Sequence, residues 1–271
     1  MRIAFYIHKT ELHGDPRTES LLGTLREAGM EVYPVRSTRD IRPGTGMVLS
    51  LGGDGTFLST AHLVAQKDIP ILGVNMGRMG FLSQNAPEDV VPALLAGEYR
   101  IRERAMLQVR LYGPEPDGFC PYAVNEVSLH RTGAEMLGID ATVDDNRLPT
   151  YWADGLLVAS SIGSTAYNLS AGGPICLPDS KVLLLTPVAP HNLNLRPLVI
   201  PAGSQVLLAA QSRSGTATLT LDNRSYSIPE KMAVQVNLAP FSLKTVDLGK
   251  ASFIDALESR FFWGEDVRNT N

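Results

Sequence analysis

Two cysteines among 271 residues, Cys120 and Cys176, are too few for a disulfide framework. The opening MRIAFYIHKTELHG sets a single basic residue before a short apolar run, which predicts a first strand and not a secretory leader. Together these features predict reduced thiols in a cytoplasmic protein. Long apolar runs are also missing. The longest, such as VLLLTPVA at 182–189, fall far short of the roughly 18 residues that a membrane helix needs, so no membrane association is expected. Excess positive charge is absent too: 24 Lys and Arg against 28 Asp and Glu leave a net charge of -4. The most basic stretch is RIRER at 100–104, read as the solvated face of a strand, and it cannot form a nucleic-acid footprint. His8, His13, His62, His130 and His191 show neither HxxH nor HExxH spacing, which argues against a protein-held metal. The chain contains no GxxxxGK[ST], no GxGxxG and no GxSxG around Ser164, which excludes a P-loop, the usual dinucleotide fingerprint and a nucleophile elbow.

What is present is a globular composition, 44% hydrophobic and 19% charged, with ample core for one large domain or two modest ones. Over the first hundred residues, strand and helix signals alternate. RIAFYI (2–7), EVYPV (31–35), MVLSL (47–51) and PILGV (70–74) read as strands. TESLLGTLREAGM (18–30), TFLSTAHLVAQ (56–66) and PEDVVPALLAG (87–97) read as helices. That alternation predicts a Rossmann-like α/β domain over 1–98, its parallel sheet covered on both faces. From 99 to 250 the runs become strand-like and are separated by turn residues, with VDDNRL (143–148) as a hairpin tip, which predicts a mainly β sandwich. The tail, 251–271, returns to helical spacing at Phe253, Leu257 and Phe261 and is expected to pack back on the first domain.

Two stretches carry chemistry. LSLGGDGTFLST (49–60) runs from a strand into Gly52, Gly53, Asp54 and Gly55 and then into a helix. Glycines let a backbone approach a ligand without a Cβ in the way, and the helix N-terminus favours an anion. A carboxylate at that place is unfavourable beside phosphates unless it holds a metal ion or takes a proton. A tight turn is the plainer alternative for these four residues. The second stretch, DGLLVASSIGSTAYNLSAGGPI (154–175), gathers Ser164, Thr165, Tyr167, Asn168 and Ser170 within a few residues, which suits a polar, hydroxyl-rich ligand. Asp144 and Asp145 are adjacent on the hairpin and read as solvated.

The order of these motifs resembles the NAD kinase family. GGDGT, the strand-borne pair in AVNEVSL (123–129), DG at 154–155 and GSTAY…GG at 163–173 occur in the family's order. GVNMGRMGFL (73–82) is similar to the family's G-x-N-x-G-x-x-G-F-L, and PHNLNLRPLVIP (190–201) to its Pro-His-x-Leu-x-x-Arg-Pro run. The resemblance implies that Asp54 is the base that takes the proton from the adenosine ribose 2′-hydroxyl of NAD as it attacks the γ-phosphate of ATP. It implies further that Gly52, Gly53 and Gly55 lie along the phosphates. Asn125, Glu126 and Asp154 would bind NAD, and Thr165, Ala166, Tyr167, Asn168, Leu169 and Ser170 would enclose its base and amide. Ala189 and Arg224 are further contacts on this resemblance. ATP and NAD would be substrates, Mg²⁺ would arrive on ATP, and the protein would form homodimers or homotetramers.

This chain departs from the family pattern beside the proposed dinucleotide site. Ser160-Ser161-Ile162 stands where Thr-Pro-Thr is common, and Trp152 where many members carry a basic residue. Two other functions share part of the signal. A lipid kinase of the diacylglycerol type has GGDG but lacks GSTAY…GG, and a dinucleotide sensor would bind NAD without turnover.

Overall fold

Strand β1 (Arg2–Ile7) buries Ile3, Ala4 and Phe5 and begins the parallel sheet of the first of two compact units. In the computed structural model, which describes residues 1–77, 80–250 and 252–263, this unit comprises 1–103 together with the chain from 243 onward. Helix α1 (Pro16–Glu27) starts where its sequence dictates. Asp15 caps it by accepting from the Arg17 and Thr18 amides, and Pro16 takes the first turn, where no amide is needed. Leu21, Leu22 and Leu25 form its buried stripe.

β2 (Glu31–Pro34), β3 (Thr45–Gly52) and β4 (Ile71–Asn75) complete the parallel order β4-β3-β1-β2, with α2 (Asp54–Val64) and α3 (Pro87–Ala96) between and after them. Ile3, Leu49, Leu51, Leu72 and Val74 join α1 and α3 in one core, while Ala4, Val48 and Ile71, the alternate residues, are buried on the other face. Strands buried on both faces read as continuous apolar runs, which is why MVLSL and PILGV show no alternation.

The second unit, 104–242, is a β-sandwich. Its chain runs through β5 (Arg100–Tyr112), β6 (Tyr122–Ala123), β7 (Glu126–Arg131), β8 (Leu137–Val143), β9 (Asn146–Arg147), β10 (Tyr151–Ala153) and β11 (Gly155–Ser160). The short helix α4 (Tyr167–Ser170) follows. Next come β12 (Val182–Val188), β13 (Leu198–Pro201), β14 (Val206–Gln211), β15 (Thr216–Leu221), β16 (Arg224–Pro229) and β17 (Ala233–Asp247). One sheet, antiparallel throughout, has the order β13-β12-β11-β7-β15-β16; the other places β10, β8, β14 and β17 side by side. Leu129, Leu156, Val158 and Leu219 from the first sheet interlock with Leu137, Ile139, Leu208 and Val234 from the second. Asp144 and Asp145 form the β8–β9 turn with positive φ (48° and 66°), as a two-residue hairpin requires. Asp144 is more than a solvated tip, because its carboxylate also accepts from the Gln205 amide.

On its outer face the β11–β12 pair buries Leu157, Ala159 and Leu184 in a smaller cluster with Ala171 and Cys176. The hydroxyl-rich segment after β11 thereby lies on a packed floor. The last helix, α5 (Phe253–Phe261), groups with the first unit and starts at a reciprocal Ser252–Asp255 capping box. Residues 251 and 264–271 of the expected tail lie outside the described residues. Among the described residues no helix is long and apolar enough to cross a membrane. Truncating the floor by Leu184→Ala should cost about 2–5 kcal/mol, measured as a lowered urea midpoint.

Candidate active site

The first group of site residues gathers where β3 ends. Gly52 closes the strand at φ +155°, a conformation side chains avoid, and a Cβ there would strike the Thr56 side chain. Gly53 occupies the N-cap of α2 and Gly55 its first turn, yet a Cβ at either would meet nothing within 4 Å. Between them Asp54 enters α2 at the end where the dipole favours negative charge. Its carboxylate accepts three backbone hydrogen bonds from a loop that follows β4. The Phe81 amide donates to Oδ2 at 2.9 Å, while the Leu82 and Ser83 amides donate to Oδ1 at 3.0 and 3.1 Å. Gly80 lies so close that a Cβ there would collide with the carboxylate. Arg260 of α5 completes the cluster, with Nη1 3.3 Å from Oδ2. The GGDG stretch is therefore more than a turn: it holds a carboxylate whose partners come from two distant segments.

The second group lies in the sandwich, where β7 and β11 begin and end. Asp222, in the β15–β16 turn, accepts from the Val124, Asn125 and Glu126 amides at 2.9, 2.8 and 3.3 Å. It fixes the start of β7 and so the place of Asn125 and Glu126, both of which are buried. Sequence reasoning passes over Asp222, because it lies inside the strand-like run TATLTLDNRSYSI and its partners are 96–98 residues away. Among the described residues Glu126 Oε2 has no hydrogen-bond partner. Burial, and the nearby Asp222 charge, push the Glu126 carboxyl up to about 8, against a lesser opposing hydrogen bond from the Tyr167 amide.

Tyr167 stacks on His130 with ring centroids 5.5 Å apart, and burial lowers the His130 imidazole's affinity for a proton. Asp154 sits one strand over and pairs with Arg131 through both carboxylate oxygens, at 2.6 and 3.4 Å. Ala189 follows the β12 end that pairs with Gly155, and it holds φ +45°, rare for a residue with a side chain. Arg224 donates to the Cys120 and Tyr122 carbonyls, which ties down the chain entering β6.

The hydroxyl-rich loop works differently from its composition. Ser160 donates to the Val124 carbonyl, Ser161 to Pro178 and Ser164 to Cys176. Asn168, fully buried, donates to the Ser164 and Pro174 carbonyls and accepts from the Thr186 hydroxyl at 2.7 Å. These polar side chains knit the loop to itself, and Gly173 passes too near Asn168 for any Cβ. The residues left facing outward are Tyr167 and Ser170, with Thr165, Ala166 and Leu169 half-buried. Trp152, one of the departures, is exposed and lies against Gly138 of β8.

A parallel α/β unit with GGDG at a strand end, joined to a sandwich carrying a buried Asn-Glu pair, defines a two-unit kinase of the ATP-NAD type. Residues 16–99 match the ATP-NAD kinase N-terminal domain and residues 124–248 the ATP-NAD kinase C-terminal domain. The NAD kinase of Bacteroides fragilis is 41% identical over 226 residues, covering 82% of this chain and 78% of that protein. Among solved structures, an NAD kinase from Archaeoglobus fulgidus in complex with ATP matches at TM-score 0.76 and 25% identity, over 92% of this chain and 95% of that one. A yeast NADH kinase complexed with NADH shares the fold at TM-score 0.87 and 20% identity, over all of this chain and 90% of that one. The chain belongs to the NAD kinase family.

A carboxyl raised this far favours folding while it stays protonated. Its stabilisation is complete below about pH 4.5 and is lost as pH climbs towards 8. Glu126→Gln, which fixes the neutral state, should therefore gain melting temperature relative to the parent protein as pH rises from 5 to 8. Parallel melting profiles across that range would show that the carboxyl titrates normally.

Proposed function

We propose that this chain is an ATP-dependent NAD kinase, moving the γ-phosphate of ATP to the adenosine ribose 2′-hydroxyl of NAD to give NADP and ADP. The observation that carries the reading is Asp54, a carboxylate held at a helix start between two glycines whose missing Cβ atoms serve no packing purpose in the protein itself. Open glycine backbone suits phosphates, and a carboxylate among them has a use when it receives a proton. Membership of the NAD kinase family supports NAD as acceptor and ATP as donor.

In this reading Asp54 takes the hydroxyl proton, the ribose oxygen bonds to the γ-phosphorus, and the bond to ADP breaks. Phosphoryl transfer asks the protein mainly for alignment and charge stabilisation. Gly52, Gly53 and Gly55 would lie along the phosphates. Asn125, Glu126, Asp154 and Ala189 would hold the dinucleotide, the unpaired Glu126 oxygen waiting for a donor on it. Thr165, Ala166, Tyr167, Leu169 and Ser170 would enclose the base and amide, while Asn168 and Arg224 would act by fixing the segments that do so.

Among the described residues no three His, Cys, Asp or Glu side chains gather as a metal cage. Mg²⁺ would enter on the ATP phosphates, where it would keep its waters and neutralise their charge. A cytoplasmic homodimer or homotetramer remains the expected form.

A coupled assay for NADP from ATP, Mg²⁺ and NAD tests the reading, and its absence with the intact chain would refute it. Asp54→Asn should cut turnover by roughly 10²–10⁴-fold while calorimetry finds NAD binding nearly intact. Near-normal turnover in that variant would remove Asp54 from the role of base.

A further inference from the structure

Arg260 stands 206 residues from Asp54 in the sequence and meets it through the C-terminal helix. The contact is built, not casual. Its guanidinium carbon lies 5.5 Å from the centroid of the Phe81 ring, and that ring packs against Phe253 at 5.7 Å and Phe261 at 5.5 Å. Phe81 is also the residue whose amide donates to Asp54 Oδ2. Phe81 thus supplies one partner of Oδ2 through its amide and touches the other through its ring.

The four contacts on Asp54 are not equivalent. The three amides are part of a fixed loop. Arg260 is a long side chain, partly exposed, at the longest distance of the four, 3.3 Å. While it sits on Oδ2 it occupies a lone pair that a base must offer to its substrate, since a carboxylate has about four such positions. A triphosphate arriving at the open glycines would be a better partner for it. Guanidinium can bind either group in pairs of hydrogen bonds, and a triphosphate presents more negative charge than a lone carboxylate.

We propose that Arg260 is a catalytic residue: on ATP binding it leaves Asp54 for the γ-phosphate, uncovering Oδ2 and neutralising the group being transferred. The proposal rests on the NAD kinase reading given above. The uncovered Oδ2 then takes the proton of the ribose hydroxyl as its oxygen bonds to the γ-phosphorus. The electron pair of the broken phosphoanhydride bond departs on ADP, and Arg260 stabilises the equatorial oxygens throughout. One side-chain movement therefore couples donor binding to exposure of the base.

The test compares the full-length chain with Arg260→Gln and Arg260→Lys in steady-state kinetics, alongside calorimetric NAD affinity without ATP and thermal melting. Arg260→Gln should lower kcat about 10²–10³-fold and raise the KM for ATP, with NAD affinity and melting temperature held. Arg260→Lys, which keeps the charge, should restore part of the turnover. Unchanged or increased kcat in Arg260→Gln, with the parent protein active, overturns the handover alone. Loss of NAD affinity and melting temperature in step with kcat, in both variants, assigns Arg260 a structural role and overturns it as well. A parent protein that makes no NADP overturns both this proposal and the reading beneath it.

Discussion

Asp54 is bound on every side that the protein controls. The helix it begins supplies a positive dipole end, and the loop after β4 folds back to donate three amides to its two oxygens. An acidic side chain so placed is oriented to a single direction, and the loop that holds it is oriented in return. Gly73 and Gly80 are part of the same constraint. A Cβ on Gly73 would collide with the Leu82 carbonyl, and one on Gly80 with Asp54 itself, so the loop could not close on the carboxylate. The direction in which the Asp54 carboxylate points depends on that closure.

The sandwich applies the same device with different residues. Asp222 gathers three successive amides and fixes where Asn125 and Glu126 emerge. Asn168 does for the 163–174 loop what Asp222 does for β7, using every polar atom of its side chain within the protein. Buried polar groups that are fully satisfied make a structure rigid, and those left unsatisfied are candidates for ligands. Glu126 falls in the second class. A buried carboxyl with one oxygen unpartnered among the described residues, raised by burial and by a neighbouring charge, is costly to keep unless something bound there uses it.

Much of this architecture was legible in the order of residues, and the reasons are local. β1 matches RIAFYI at both ends because an apolar run beside polar residues needs no context to become a strand. The helix expected over 18–30 runs over Pro16–Glu27, because Asp15 and Pro16 start it two residues earlier; Gly97 ends α3 as expected, and the Asp144-Asp145 hairpin follows from its turn residues. GGDG and the hydroxyl-rich 163–173 stretch stood out because glycines and clustered polar residues after a strand have few packing uses, whereas NE at 125–126 and DG at 154–155 stood out only through the family resemblance. The motifs named the places; they did not reveal how each side chain is used. Ser164 and Asn168 read from composition as ligand contacts, and in the structure their side chains also tie the loop to itself, since composition cannot tell a donor aimed inward from one aimed outward. Asp222 and Arg260 were not legible at all. Their partners lie 96–98 and 206 residues away, and no local pattern encodes an encounter at that separation.

The central claim is that Asp54 meets the hydroxyl which receives the phosphoryl group. A crystal structure of the chain with NAD and a non-hydrolysable ATP analogue measures this directly. The account predicts the adenosine ribose 2′-hydroxyl within about 2.6–3.2 Å of an Asp54 carboxylate oxygen, or joined to it by one water. A bound dinucleotide whose 2′-hydroxyl lies well outside that reach, with Asp54 still tied to its amides, would contradict it.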